Sequence, residues 1–374
     1  MNKIIVDAVN VDSVRKYTNN IDDAISKAQK EILSQAQRYK NSTIASRMGF
    51  VAEEVHIGSF NIDSAFKRSS LKAVKEKNGF HGDYKVIDGD KIVSTGEFKH
   101  YNNAKNSENA MRGYGDRKLV GASEQVADIK KIAKKRALKN KMTRPEVSKE
   151  HTQVGKNVTD KIEKDGVFSK PKTLKQQRKI TKQASKGKVD VGELLPDFKT
   201  NLKSSAVGGA MEGAKTGALF GGGVSVVSNV YDIFDGKKTK TEAVVDVSKD
   251  VVKSTADSAV KNAVGSVAKT ASTHLATKVT HAGAKKVLGS SAPVIAGMVA
   301  VDTCKDIYKF ANGDIDGGTV VKNTGKNVAT AGGAWAGAEG GAAIGAMVGG
   351  PVGAAVGGVV GSIAGAIGIG SLFG

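Results

Sequence analysis

The chain carries one cysteine, Cys304, so neither a disulfide framework nor a Cys-built zinc site is available to it. Five prolines and one tryptophan in 374 residues, with aromatics at 5%, leave any core to Val, Ile, Leu and Ala. The six histidines include no i, i+4 pair, which removes the usual helical metal-ligand spacing. The opening MNKIIVDAVNVDSVRKY has no basic patch followed by an apolar run, so no secretory signal and cytoplasmic synthesis are expected. Acids are in the minority, 37 Asp+Glu against 57 Lys+Arg. The resulting charge of +20 points to an acidic partner, either nucleic acid or an anionic membrane surface. Glycine is abundant instead, 45 residues with no collagen period.

Charge and glycine are segregated along the chain, and three zones follow. Residues 1–130 have the composition of an α/β domain. Apolar positions at Ile21, Ala24, Ile25, Ala28, Ile32 and Ala36 predict an amphipathic helix over Ile21–Tyr39, and Ala45–His56 predicts a second. Tyr84–Ile87 and Lys91–His100 read as two strands joined at Asp88-Gly89-Asp90, followed by a helix over Ser123–Leu138. Residues 131–190 read as a basic linker or exposed arm, because residues 130–188 hold twenty Lys/Arg against five acids and few apolar residues. Its lysines, with Lys130, Lys131, Lys134, Lys135 and Arg136 first, are candidate phosphate contacts. Cys304, in an apolar helix without a neighbouring histidine, reads as a buried thiol.

Residues 191–374 predict an all-α, glycine-rich domain. Glycines recur every fourth residue from Gly333 to Gly365, with a shorter series at Gly209, Gly213, Gly217 and Gly221. On a helix this spacing makes a groove that another backbone can approach closely. No charge occurs from Gly340 to Gly374, and Gly349-Gly350-Pro351 offers a break between two helices. The segment 331–374 therefore resembles the glycine-zipper hairpins of membrane-active bacterial proteins. It is expected either to enter a membrane or to pack as a glycine-lined hairpin, against the Gly209–Gly221 series or a partner helix, and a homo-oligomer is a possible outcome. Asp232-Ile233-Phe234 and Asp306-Ile307-Tyr308, each followed by a Gly-containing turn, suggest a duplicated helical unit.

The residues best suited to chemistry lie in HGDYKVIDGDKIVSTGEFKHY. Glu97 and Lys99 are two apart on one strand and share a face, while the hairpin brings Asp83 back beside Glu97. Two converging carboxylates can hold a hard divalent cation, Mg²⁺ or Mn²⁺, and an adjacent lysine can position the attacking water. This spacing of Asp83, thirteen residues, then Glu97-x-Lys99 resembles the PD-(D/E)xK nuclease superfamily over about 80 residues. The resemblance implies a restriction-endonuclease-like fold and hydrolysis of DNA. It also implies an acid from a preceding helix, here Glu53 or Glu54, and a supporting or DNA-contact role for Gln125 in the helix that follows. Gly82 stands where the family often has proline. His56 and His81 read as surface or cap histidines rather than bases.

The expected whole is a metal-dependent nuclease joined to a glycine-zipper tail, an architecture suited to an effector toxin or a phage-defence protein. The alternative is a non-enzymatic membrane-active or scaffold protein acting through its glycine-zipper helices.

Overall fold

The computed structural model describes residues 2–76, 82–216, 240–277, 292–311, 313–316, 318–320 and 322–339. His81, residues 231–236 and the zipper positions from Gly341 onward lie outside them. The protein is rich in helix, with a small sheet in its N-terminal half and, among the described residues from Phe198 onward, helices without strands. It divides into two compact units, one of residues 20–197 and the other of residues 1–19 with 198–374.

Helix α1 (Asn2–Arg38) starts well before the predicted Ile21, and its N-terminal half belongs to the helical unit. In the other unit, its buried stripe Ile25, Ala28, Ile32 and Ala36 follows the predicted period. Helix α2 (Ile44–Phe66) is capped by Thr43, whose side chain accepts from the Ser46 amide. Strands β1 (Leu71–Lys75), β2 (Tyr84–Asp88) and β3 (Lys91–Phe98) form an antiparallel meander. After helix α3 (Ala104–Ala110), β4 (Lys118–Val120) joins β3 in parallel. Helices α4 (Val126–Asn140) and α5 (Pro145–Asn157) lead to β5 (Val158–Thr159), parallel to β4. A short hairpin, β6 (Glu163–Lys164) with β7 (Val167–Phe168), and helix α6 (Leu174–Ala184) complete the unit.

The sheet is covered on both faces. Neighbouring residues on a strand point oppositely, and Val120 and Leu119 enter different cores. Val120 joins Ile57, Phe60, Leu71, Ala73, Tyr84, Val86 and Phe98 under α2. Leu119 joins Met111, Ile129, Ala133, Val154 and Val158 under α4 and α5. Gly96 lets the Tyr84 ring lie flat across β3, since a Cβ there would meet that ring at 2.5 Å.

The basic zone is therefore no linker, and the boundary expected near residue 130 falls inside a folded unit ending at Asp197. Ala133, Val154, Val158, Ile162, Val167 and Ile180 of this zone are buried, while Leu138 and Met142 stand in solvent. Most of its lysines put their charge outward, and the buried Lys172 is paired with Glu193 at 2.8 Å, so a high net charge coexists with a core.

In the helical unit, α7 (Phe198–Thr216), α8 (Lys240–Ala276), α9 (Ala292–Ala311) and α10 (322–339) follow one another. Val11 and Val14 of α1 pack with Val294, Met298, Ala334 and Trp335. Much of the described interior besides is polar: Asn10 donates to Ser258 Oγ at 3.0 Å and accepts from Asn262 Nδ2 at 2.8 Å. Lys261, buried, pairs with Asp257 at 3.1 Å and Asp302 at 3.0 Å. Cys304 is exposed rather than buried, because the buried residues of α9 here are Val294, Met298, Val299, Asp302 and Asp306. No helix among the described residues is long and apolar enough to cross a membrane.

The shorter glycine series works as a close contact. A Cβ on Gly209 would meet Asn262 O at 2.6 Å, and one on Gly213 would meet Ser258 O at 2.1 Å. Gly213→Ala gains about 1 kcal/mol of helix propensity but forces α7 off α8, at a cost of about 1–3 kcal/mol. The expected result is a lower melting temperature for this unit, followed by circular dichroism; an unchanged or higher value would contradict the contact.

Candidate active site

Asp83 is fixed at the foot of the hairpin. Its amide donates to Gly96 O at 2.9 Å, and its Oδ2 accepts from the Phe98 amide at 2.8 Å. Gly82, with φ of +101°, makes the turn that brings it there; a Cβ would meet Gly96 O at 2.5 Å. Glu97 and Lys99 leave β3 on the same side, and Lys99 Nζ lies 3.0 Å from Glu97 Oε2 and 3.5 Å from Asp83 Oδ2. The three residues read from the sequence thus meet at one point. Two further groups come from the turn before β4: Arg117 Nη1 donates to Glu97 Oε1 at 2.9 Å, and Lys99 Nζ sits 4.7 Å from the Tyr114 ring centre. The Gly113-Tyr114-Gly115 turn had no visible part in the sequence argument. Its significance comes from the parallel pairing of β4 with β3.

Burial raises the Glu97 pKa; Asp83 pushes it further, and Lys99 opposes the shift. Burial works against the Lys99 charge, but Asp83 and Glu97 outweigh it and hold the ammonium above its ordinary range. Lys99 is accordingly held as a positive charge and a hydrogen-bond donor.

Lys75 of β1 holds both Glu53 and Glu54, its Nζ at 2.7 Å from Glu53 Oε2 and 3.3 Å from Glu54 Oε1. Glu54 also accepts from Gln35 Nε2 at 3.4 Å, toward α1. Burial raises both pKa values against the pull of Lys75, and Glu53 also feels the charge of Asp83. Glu53 is thus the one on the side of the site. Gln125 is not a DNA contact: its Nε2 donates to Tyr101 O at 3.0 Å and its Oε1 accepts from Ser107 at 2.8 Å, both inside the fold. It ties the chain leaving β3 to α3.

Among the proposed phosphate contacts, Lys130, Lys131, Lys134 and Lys135 are exposed on α4. Arg136 is committed inward, to Glu108 and Asn109. An open groove of about 410 Å³ lies along α5, lined by Asp116, Lys141, Lys149, Thr152, Lys156 and Asn157. Asp116 precedes Arg117, and Asn157 Nδ2 donates to Gly115 O at 3.1 Å, so the groove runs up to the turn at the site.

Among the described residues no group of three His, Cys, Asp or Glu side chains is disposed to hold a metal ion. The pair Asp83 and Glu97 nevertheless suits a hard divalent cation in donor chemistry, being all-oxygen with each charge pressing on the other. Such an ion completes its shell with water, so two protein ligands suffice. Comparison of the chain with protein-family models, curated proteins and solved structures finds no match.

Behind the site, His56 is fully buried rather than on the surface, with Nδ1 2.9 Å from Ser169 Oγ and its ring stacked on His100 at 5.6 Å. Burial lowers both pKa values, that of His100 to about 4, and each ring's charge is further disfavoured by neighbouring cations or the other ring. Unfolding raises these values to about 6.5, so the unfolded chain binds more protons between about pH 4 and 6.5. Stability is therefore complete above pH 6.5 and falls toward pH 4, by up to about 1.4 kcal/mol per pH unit for each ring. Denaturant melts across that window should show the slope, and His100→Asn should flatten it.

Proposed function

We propose that residues 20–197 form a divalent-metal-dependent nuclease that hydrolyses phosphodiester bonds of DNA, with a restriction-endonuclease-like core. The observation that carries this is Lys99 Nζ lying between the carboxylates of Glu97 and Asp83. The order of parts also supports it: an acidic helix, a hairpin bearing Asp83 and Glu97-x-Lys99, then strands joined by helices. Asp83 and Glu97 would hold Mg²⁺ or Mn²⁺. That ion supplies Lewis-acid stabilisation of charge at the phosphate when bound.

Lys99, kept protonated by the two acids, donates to the attacking water and faces the negative charge that grows on the phosphate. Glu53 adds negative charge beside Asp83, and Lys75 holds its carboxylate in place. The purified full chain should nick supercoiled plasmid with Mg²⁺ or Mn²⁺ and stop on EDTA. Cleavage of RNA but not DNA would change the substrate, and no cleavage of either would end the reading.

The groove along α5 is the proposed track for the nucleic-acid backbone, and the lysines of α4 add to its field. Lys149→Gln and Lys156→Gln should each weaken DNA binding across sequences. Each should also make the slope of log K against log salt less negative by about 1. Fluorescence anisotropy in a salt series reads this directly.

For the helical unit a second reading is favoured by the Gly209 and Gly213 contacts: glycine-packed helices forming a scaffold, with 331–374 docking on a partner helix or a membrane. Flotation with anionic vesicles, lost on deleting 331–374 and kept when Glu97 is replaced, would support the membrane form.

A further inference from the structure

We propose that Arg117 is a latch coupling cation binding at Asp83 and Glu97 to nucleic-acid binding. In the free protein it occupies Glu97, and a substrate phosphate draws it away. The proposal rests on the nuclease reading above.

Both carboxylate oxygens of Glu97 are engaged by cations. Oε1 accepts from Arg117 at 2.9 Å and Oε2 from Lys99 at 3.0 Å, while Lys99 also reaches Asp83 at 3.5 Å. Two carboxylates thus face two cations, and these four side chains balance to no net charge. A divalent ion added to the pair would sit against Arg117 across a single oxygen. Like charges at that spacing repel strongly where burial lowers the effective dielectric. One cation must give way.

Lys99 is the poorer candidate to move. Its side chain is 16% exposed, bridges both acids and covers the Tyr114 ring. Arg117 is better placed, at 31% exposed and at the end of the turn through Gly113 and Gly115. Both glycines have positive φ, and no described atom lies within 4 Å of where a Cβ would stand on either. A guanidinium offers a planar fork that matches two phosphate oxygens, so a phosphodiester is a fitting competitor for it. The basic groove delivers such a backbone to this place, because it starts at Asp116 and shares Asn157 with the turn.

Charge balance then links the two ligands: a phosphate that takes Arg117 off Glu97 leaves a carboxylate oxygen for the ion. Each ligand raises the affinity for the other by the same factor.

The test counts free Mn²⁺ by electron paramagnetic resonance, using the full chain alone and with a phosphorothioate DNA duplex, which is charged but slowly hydrolysed. Wild type should bind Mn²⁺ weakly alone and about tenfold more tightly with the duplex. Arg117→Gln should bind Mn²⁺ alone about as tightly as wild type does with the duplex, and gain little from adding it. Arg117→Lys, which keeps the charge, should retain weak binding in the free state. Circular dichroism establishes that each variant is folded, and the wild-type comparison stands without them. Equal Mn²⁺ affinity of wild type with and without duplex would overturn the latch and leave the site reading intact, as would full coupling in Arg117→Gln. No Mn²⁺ binding by any of the three proteins, with or without duplex, would overturn both.

Discussion

Glu97→Ala should cut plasmid at least about a hundredfold more slowly than wild type in Mg²⁺, with its melting temperature changed by only a few degrees. On the proposed reading the loss is large because no neighbour can replace the charge of Glu97 at the cation. Its carboxylate is one of two acids available to the cation, and it anchors Lys99 at 3.0 Å and Arg117 at 2.9 Å. The effect on stability is small because two contributions oppose. Removing a carboxylate whose ionisation burial disfavours is favourable, whereas stranding Lys99 and Arg117 is not. Asp83 remains to hold Lys99, and Arg117 can turn to solvent.

Glu97→Gln keeps the shape but not the charge, and should be nearly as inactive. Acid should mimic these substitutions: the Glu97 pKa is raised, so the rate falls as pH drops through a range above that of an ordinary carboxylate. Wild-type cleavage by Glu97→Ala would place the chemistry elsewhere.

The second large effect is on stability. Glu108 on α3 is fully buried and is held by His151 from α5 and Arg136 from α4. Three helices therefore meet on one carboxylate. Glu108→Ala leaves a buried imidazole and a guanidinium without that acceptor, and breaking such a pair from one side costs about 3–5 kcal/mol. For a unit of residues 20–197 this corresponds to a melting shift on the order of 10 °C. The shift should be confined to the transition of that unit, because the helical unit contains none of these residues. Glu108→Gln, which can still accept from one partner, should lose less. A shift below about 2 °C for Glu108→Ala would mean that the network behaves like a solvent-screened surface pair.

What could be read in the sequence was set by local geometry. Strand periodicity and a tight turn decide which residues of a hairpin face one another, so Asp83, Glu97 and Lys99 could be placed together before any coordinates. Arg117 and Lys75 could not. Lys75 arrives from another strand and Arg117 from the turn before one, and the pairing of Glu97 with Leu119, or of Lys75 with Tyr84, leaves no mark in local spacing. The short strand LKAVK was hidden because a lysine stands on each of its faces, Lys72 outward and Lys75 beside Leu71 and Ala73, which blurs the alternation. The basic zone misled for the opposite reason: a count of charges ignores where the apolar residues stand, and here Val154, Val158, Ile162, Val167 and Ile180 are interior. Glu53 and Glu54 showed as an acidic pair on a helix, but the lysine that neutralises them did not.

The division of α1 between the two units bears on how the chain is made. Val11 and Val14 leave the ribosome early, yet their partners Val294, Met298 and Trp335 are synthesised some 280 residues or more later. Residues 20–197 can finish folding during translation, whereas Val11 and Val14 must wait until residues 294–335 have been made. An apolar stripe held open for that long is a natural substrate for a holding chaperone. An expression fragment meant to isolate the first unit should begin at Asn20, where that liability is absent.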